Sequence, residues 1–283
     1  MIATAGGKMS GMRDLDRIEP GAPAVPAPRW WARLVRLAAD RFTTGTALGL
    51  SLTVGFAVVA LLGTAFATVL DAVLEHDGIS AVDDPVLSYT VHHRTGALTT
   101  VFHALTALGD PLPISTVALL GGILLSIRAR SRRPLLVTAI ATVGVQVLVF
   151  SIKFAVHRPR PVPAYALDTA GGYSFPSGHS TSSLVIFGVL AWLLSGQLRG
   201  RYARAAVWLG AAVLVVGIGS SRVYLGVHHP TDVVAAWVLG SAWLVAVLVS
   251  ISTVARIRAG APADEPADSA PSRGGRGVHR PLT

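Results

Sequence analysis

Cysteine is absent from the 283 residues, so disulfide bonds, thiolate nucleophiles and thiolate metal sites are excluded. Charge is also scarce: Asp, Glu, Lys and Arg make up 14% of the chain, against about 25% in a soluble domain. Lysine is nearly missing, with only Lys8 and Lys153 among 24 basic residues. The low charge and the 52% share of hydrophobic residues together indicate a membrane protein.

Six apolar segments are candidate membrane spans, although some are shorter than the usual twenty or so residues. They lie at residues 46–70, 112–127, 134–156, 180–196, 205–220 and 232–254, with a further short helix predicted at 96–109. We therefore expect an all-α, polytopic membrane protein whose six transmembrane helices form a bundle. We interpret Asp110 and Pro111 as an N-cap and first helical residue rather than as a functional acid within the membrane.

The chain divides into a membrane domain and two tails. Residues 1–41 form a basic N-terminal tail rich in Gly, Ala and Pro, which we expect to be disordered. Within it, residues 29–41 fit either a positively charged interfacial helix or an ordinary juxtamembrane flank. Residues 42–255 form the six-span domain, and residues 256–283 are predicted to be a disordered C-terminal tail.

The distribution of Lys and Arg predicts the orientation. Nineteen of the 24 fall on the side of the N-terminus, and five on the other side. Because cytoplasmic loops carry the excess of basic residues, both termini are predicted to be cytoplasmic. The polar motifs then reach the extracytoplasmic face of the plasma membrane. The net charge of +9 follows from this rule, so no nucleic-acid partner is expected.

Polar residues gather where the third and fifth spans end and the fourth and sixth begin. They are Lys153, Arg160, Ser177, Gly178, His179, Arg222, His228 and Asp232. Three cations and the N-terminus of a helix favour binding of a phosphate group. A serine hydroxyl adds a donor, and a glycine lets the backbone approach the ligand closely.

His228 and Asp232 are four residues apart at a helix start, a spacing that lets the carboxylate orient the imidazole. The other ring nitrogen is then free to attack phosphorus, and His179 is the candidate acid for the leaving oxygen. His229 competes for the nucleophile role, but the spacing to Asp232 favours His228. Further histidines make a divalent metal site conceivable. No ligand spacing such as HExxH supports one, so neither metal nor cofactor is expected.

Three motifs carry a resemblance to a known family. The chain reads KFAVHRPRP at 153–161, PSGH at 176–179 and SRVYLGVHHPTD at 221–232. These match the K-x6-RP, PSGH and SR-x5-H-x3-D pattern of the type 2 phosphatidic acid phosphatase, or lipid phosphate phosphatase, superfamily. The chain most resembles its membrane-bound bacterial-type members.

The resemblance implies a metal-independent phosphatase with His228 as nucleophile, Asp232 as its orienting acid and His179 as the leaving-group acid. It also implies a phosphate-binding set of Lys153, Arg160, Ser177, Gly178 and Arg222. The related vanadate-dependent haloperoxidases share this pocket, but they are soluble, and six spans argue against that activity.

The favoured hypothesis is an integral-membrane phosphatase that hydrolyses a lipid phosphate or diphosphate at the extracytoplasmic face through a phosphohistidine. Undecaprenyl diphosphate is favoured because recycling of that carrier needs an extracytoplasmic site. Phosphatidylglycerophosphate, phosphatidic acid and prenyl-linked sugar phosphates stay open as substrates. The same phosphohistidine also allows a phosphotransferase. A lipid-binding scaffold or transporter with a dead site is the non-enzymatic alternative, against which the intact motifs argue.

Overall fold

A computed structural model describes residues 47–260, with side chains described for residues 49–255. The predicted N-terminal tail and its interfacial helix lie outside the described residues. The predicted C-terminal tail also lies outside them beyond Gly260.

The described residues contain eight α-helices. They are α1 (Ala47–Glu75), α2 (Asp83–His92), α3 (Gly96–Gly109), α4 (Pro111–Ala129), α5 (Arg133–Val156), α6 (Gly178–Ser195), α7 (Arg201–Tyr224) and α8 (Pro230–Gly260). Two short 3-10 helices, Gly78–Val82 and Pro163–Tyr165, lie between them. Six helices, α1 and α4 to α8, are long and apolar enough to cross a membrane. The prediction of an all-α, six-span membrane protein is confirmed.

Several helices extend past their predicted bounds: α1 continues to Glu75, and α7 runs from Arg201 to Tyr224. The last span continues to Gly260, past the predicted end at 254. The segment between the first predicted span and the predicted helix at 96–109 contains the first 3-10 helix and α2. Helix α2 is short and polar, so it lacks the apolar stripe by which a helix is detected. Asp83 and Asp84 in its first turn interact favourably with the helix dipole.

The helix ends follow local sequence signals. Thr95 caps α3 by accepting from the backbone of residue 98, and Ser177 caps α6 in the same way. Pro111 occupies the first turn of α4, where its missing N–H costs nothing. Helix α5 ends at Val156, and the next residue, His157, caps it in a left-handed conformation with φ of 54°. Pro159 then prevents the helix from continuing.

Helix α6 is the centre of the bundle and packs against α4, α5, α7 and α8. Half of its apolar stretch is buried, a larger share than in any other described span. The core between α5, α6 and α8 is made of small and branched apolar side chains: Val137, Ala141, Val145, Val149, Val185, Val189 and Val247. Large apolar side chains cover the outside of the bundle, as lipid contact requires.

The alternation of spans gathers the motif ends at one end of the bundle. Helices α5 and α7 end there, and α6 and α8 begin there. The site candidates therefore lie together at this end of the bundle.

We expect the substitution Gly144→Ala to destabilise the bundle by about 1–3 kcal/mol, the usual cost of overpacking. A Cβ at Gly144 would overlap the indole ring of Trp243 on α8. That indole also donates to the carbonyl oxygen of Ala141 at 3.0 Å, which limits its movement. The measurement is the unfolding temperature in detergent. The matched control is Gly63→Ala, where an added Cβ meets no atom within 4 Å; an equal decrease in both variants would contradict the packing argument.

Candidate active site

His228 and Asp232 form the predicted pair at the start of α8. The Nδ1 atom of His228 lies 3.2 Å from Oδ2 of Asp232. Both side chains are almost wholly buried, with 3% and 0% of their surface exposed. The backbone N–H of His229 donates to the same carboxylate oxygen at 2.9 Å, so this oxygen fixes the local turn as well as the ring.

Arg160 settles which nitrogen of His228 carries the proton. Its Nη1 lies 3.1 Å from Nε2 of the ring. A guanidinium can only donate, so Nε2 accepts with its lone pair and the proton of the neutral ring is on Nδ1, facing Asp232. Burial lowers the pKa of His228 to about 3; the hydrogen bond that the ring donates to Asp232 opposes this effect, whereas the charges of Arg160 and Lys153 add to it. The ring is therefore neutral at pH 7.

Lys153 and Arg160 are held beside this ring by the loop before α6. Lys153 Nζ donates to the carbonyl oxygens of residues 173 and 174, the latter at 3.4 Å. Arg160 donates to the carbonyl oxygens of residues 171 and 172 at 2.7 and 3.0 Å. Burial lowers the pKa of Arg160, and the nearby charge of Arg222 adds to the effect. Cations that repel one another in this way form a site for an anion.

Arg222 enters the site from the end of α7. Its Nη1 donates to Oγ1 of Thr106 on α3 and, at 2.9 Å, to Oδ2 of Asp168. Its Nε is buried and has no hydrogen-bond partner among the described residues. An unpaired buried donor costs about 1–3 kcal/mol, which an oxygen atom of a ligand would relieve.

Ser177 and Gly178 form the start of α6. The backbone N–H of Ser177 donates to the carbonyl oxygen of Asp232 at 3.1 Å, which joins the starts of α6 and α8. The Ser177 hydroxyl is buried and accepts from Ser180 as a helix cap. A Cβ at Gly178 would meet only Val149, at 3.9 Å. Packing within the described residues therefore does not require a glycine here.

His179 has an acidic partner that the sequence interpretation assigned to another role. Asp110 does occupy the N-cap position of α4, but its carboxylate makes no capping hydrogen bond. Instead, its Oδ1 lies 2.9 Å from Nε2 of His179. The interpretation of Asp110 as a cap holds for its position and fails for its side chain. The available signal was an acidic residue between apolar segments, which is by default a functional candidate.

His229 lies close to the same carboxylate as its neighbour. Its Nδ1 is 3.4 Å from Oδ2 of Asp232, slightly farther than the corresponding atom of His228. Of these two imidazole rings, the described contacts of Arg160 include only that of His228. The ring that joins the carboxylate to the cations is therefore His228.

Sequence reasoning missed two residues beside Asp232. Arg158, from the loop after α5, donates to Oδ1 of Asp232 at 2.6 Å and to Oδ2 of Asp83 at 2.7 Å. Asp83 opens α2 and is 3% exposed. The signal for Arg158 was a second arginine inside KFAVHRPRP, whereas Asp83 stood only as one of several acids in the segment 71–97.

The arrangement combines a neutral imidazole whose Nε2 carries no proton, a second imidazole next to a carboxylate, and three cations. No group of three or more His, Asp or Glu side chains within the described residues is placed to hold a metal ion. A nucleophile, an acid and an anion pocket are the components of phosphoryl transfer.

Comparison with known proteins points to one family. The family model described as the PAP2 superfamily matches residues 133–256. Phosphatidylglycerophosphatase B of Bacillus subtilis is 29% identical over 178 residues, which span 62% of this chain and 86% of that protein. The undecaprenyl-diphosphatase of Sulfolobus acidocaldarius is 33% identical over 140 residues, which span 48% of this chain and 63% of that protein.

A solved structure has the same fold. The first transmembrane PAP2-type phosphatidylglycerolphosphate phosphatase from Bacillus subtilis superposes with a TM-score of 0.65 at 26% identity. The superposition covers 69% of this chain and 96% of that one. The resemblance carried by the three motifs is thus confirmed.

We expect the imidazole of His228 to stay neutral between about pH 7.5 and pH 5, although an exposed histidine becomes charged near about pH 6.5. Burial disfavours the charged imidazole, and this lowers its pKa below that of an exposed histidine. Nitrogen NMR of histidine-labelled protein in detergent measures this. The signal is assigned as the one missing from His228→Gln. A normal titration of that signal would show that the ring is hydrated and would contradict its burial.

Proposed function

Because residues 133–256 match the family model of the PAP2 superfamily, we propose that the protein hydrolyses a lipid phosphate or diphosphate through a phosphohistidine. The observation that carries the proposal is the state of His228. Its Nδ1–H faces a buried carboxylate, and its Nε2 lone pair points to a cation that belongs to the anion pocket. This is the state that a nitrogen nucleophile requires.

In the first step, Nε2 of His228 attacks phosphorus, and the bond from phosphorus to the leaving oxygen breaks. Asp232 stabilises the positive charge that develops on the ring, as a carboxylate does beside an imidazolium. His179 gives its proton to the leaving oxygen. The carboxylate of Asp110, 2.9 Å from Nε2 of His179, holds the ring in place.

In the second step, water attacks the phosphohistidine, and the nitrogen–phosphorus bond breaks to give inorganic phosphate. His179, which has lost its proton, now accepts one from the water. The lone pair returns to Nε2, and the site is restored without any net change in its protons.

The phosphate oxygens bind to Lys153, Arg160, Arg222 and the start of α6 at Ser177 and Gly178. Arginine forks and a lysine point charge suit the equatorial oxygens on which negative charge accumulates. The unpaired Nε of Arg222 is one such donor. The open space at Gly178 lets a phosphate approach the backbone.

The substrate is a lipid because the site lies at the ends of membrane spans, where a phosphate head group meets its apolar tail. We favour undecaprenyl diphosphate, since recycling of that carrier needs an extracytoplasmic site. The names of the two curated relatives support a diphosphate and a glycerophosphate equally well. Phosphatidylglycerophosphate and phosphatidic acid are therefore the alternatives. A phosphotransferase would use the same phosphohistidine with an alcohol in place of water.

We expect His228→Ala to lower phosphate release on the order of a thousandfold or more, because it removes the nucleophile. Phosphate release is measured in detergent from undecaprenyl diphosphate, phosphatidylglycerophosphate and phosphatidic acid, each with and without an added acceptor alcohol. His229→Ala is the matched control and should retain most of the activity. A phosphorylated alcohol as main product would identify a phosphotransferase.

Equal activity of His228→Ala and the unmodified protein would refute the mechanism. If His229→Ala were the inactive variant instead, the nucleophile would be the neighbouring ring. A chelator is included in a parallel assay, and activity should persist. Inhibition that added metal reverses would require a metal in the reaction.

The active site is proposed to face the outside of the plasma membrane, with both termini in the cytoplasm. Since the chain has no cysteine, single cysteines report on sidedness directly. We expect Leu167→Cys to react with a membrane-impermeant maleimide in right-side-out vesicles, and Ala129→Cys only in inverted ones. Both positions are exposed, and they lie at opposite ends of the spans. The reverse pattern would place the site in the cytoplasm.

A further inference from the structure

Arg158 and Asp83 form a closed hydrogen-bond network with the start of α8. One Arg158 nitrogen, Nη1, donates to Asp232 Oδ1 at 2.6 Å and to Thr231 Oγ1 at 2.8 Å. The other, Nη2, donates to Asp83 Oδ2 at 2.7 Å. The two terminal nitrogens of one guanidinium thus donate to two different carboxylates.

Asp83 is also fixed by Thr231. Its Oδ1 accepts from the backbone N–H of Thr231 at 2.9 Å, and its Oδ2 accepts from the hydroxyl at 2.7 Å. Asp83 and Thr231 are 3% and 1% exposed, so water does not compete effectively for these bonds. The start of α2 is therefore anchored to the residue that precedes Asp232.

This division of Arg158 matters because an arginine and a carboxylate prefer to pair through two parallel hydrogen bonds. A bidentate pair between Arg158 and Asp232 would occupy both carboxylate oxygens. One of those oxygens, Oδ2, is the partner of His228 Nδ1. Because the second terminal nitrogen of Arg158 donates to Asp83, Arg158 contacts only Oδ1 of Asp232. Oδ2 of Asp232 remains the partner of His228.

The charges lead to the same conclusion. Asp232 alone with Arg158 is a neutral pair, which would stabilise little of the positive charge that develops on His228. With Asp83 included, two carboxylates and one guanidinium carry a net charge of −1. A buried group with that charge beside the ring stabilises the imidazolium-like phosphohistidine more strongly than a neutral pair does.

We propose that Asp83 is a positioning residue of the reaction, which holds Arg158 on one oxygen of Asp232 and keeps the other oxygen for His228. The proposal rests on the proposed role of His228 as nucleophile. Asp83 acts through Arg158 and Asp232, and it does not touch the substrate.

The test compares Asp83→Asn with Asp84→Asn, the adjacent and exposed acid in the same helical turn. Asparagine at 83 keeps the shape and an acceptor for Thr231 but removes the charge. We expect Asp83→Asn to lower kcat on the order of a hundredfold, as misplacement of a reacting group does. KM should change by no more than about twofold, because the phosphate-binding cations are untouched. Asp84→Asn should leave both constants unchanged.

A double-mutant cycle separates positioning from a merely structural role. In an Asp232→Asn background, Asp83→Asn should have almost no further effect on kcat, because the group through which it acts is gone. A loss of equal size in both backgrounds, or no loss in either, would overturn the proposal. Unfolding temperatures in detergent show whether each variant folds.

If Asp83→Asn does not fold, Arg158→Lys takes its place in the same cycle. Lysine keeps the positive charge, but it lacks the two terminal nitrogens with which the planar guanidinium donates to two carboxylates. The same loss of kcat and the same dependence on Asp232 are expected. Full activity of Arg158→Lys would refute the division of the guanidinium. Activity in His228→Ala would refute the phosphohistidine itself, whereas an inactive His228→Ala with an unaffected Asp83→Asn refutes only the positioning role.

Discussion

A fully buried carboxylate must be compensated by donors and by opposite charge, and Asp232 imposes this demand at the end of a membrane helix. A guanidinium, an imidazole and a backbone N–H meet it. The guanidinium of Arg158 then needs a second partner of its own, which Asp83 provides from α2. Through this sequence of requirements, one carboxylate determines how the start of α8, the exit of α5 and the start of α2 meet.

The cations of the site pose the opposite problem, because they repel one another. The loop before α6 supplies carbonyl oxygens to Lys153 and Arg160, and Asp168 supplies a carboxylate to Arg222. These are oxygen ligands of the kind that a phosphate offers. Under the proposed function, a bound phosphate would exchange one set of oxygens for another at each cation. Substrate affinity would then be a difference between two similar sets of contacts, which the loop helps to set.

The spans could be predicted because apolar length is visible in sequence. The site residues were selected because the proposed phosphoryl transfer needs particular groups at fixed spacings. The pair His228–Asp232 lies within one helix start, so its contact followed from spacing alone. The partners of Arg222 and Arg158 come from segments more than fifty residues away. Their pairing depends on how α2 and the loop before α6 pack, which no local pattern encodes. Asp110 lies between these two cases. Its place before α4 could be predicted from the sequence, whereas its contact with His179 could not.

The family match begins at residue 133, but the site does not. Asp83, Thr106 and Asp110 each contact a motif residue from the part of the chain before that boundary. A fragment starting at Arg133 would keep every motif and lose a partner of Arg158, of Arg222 and of His179. A fragment that keeps these contacts must therefore include α2, α3 and the start of α4.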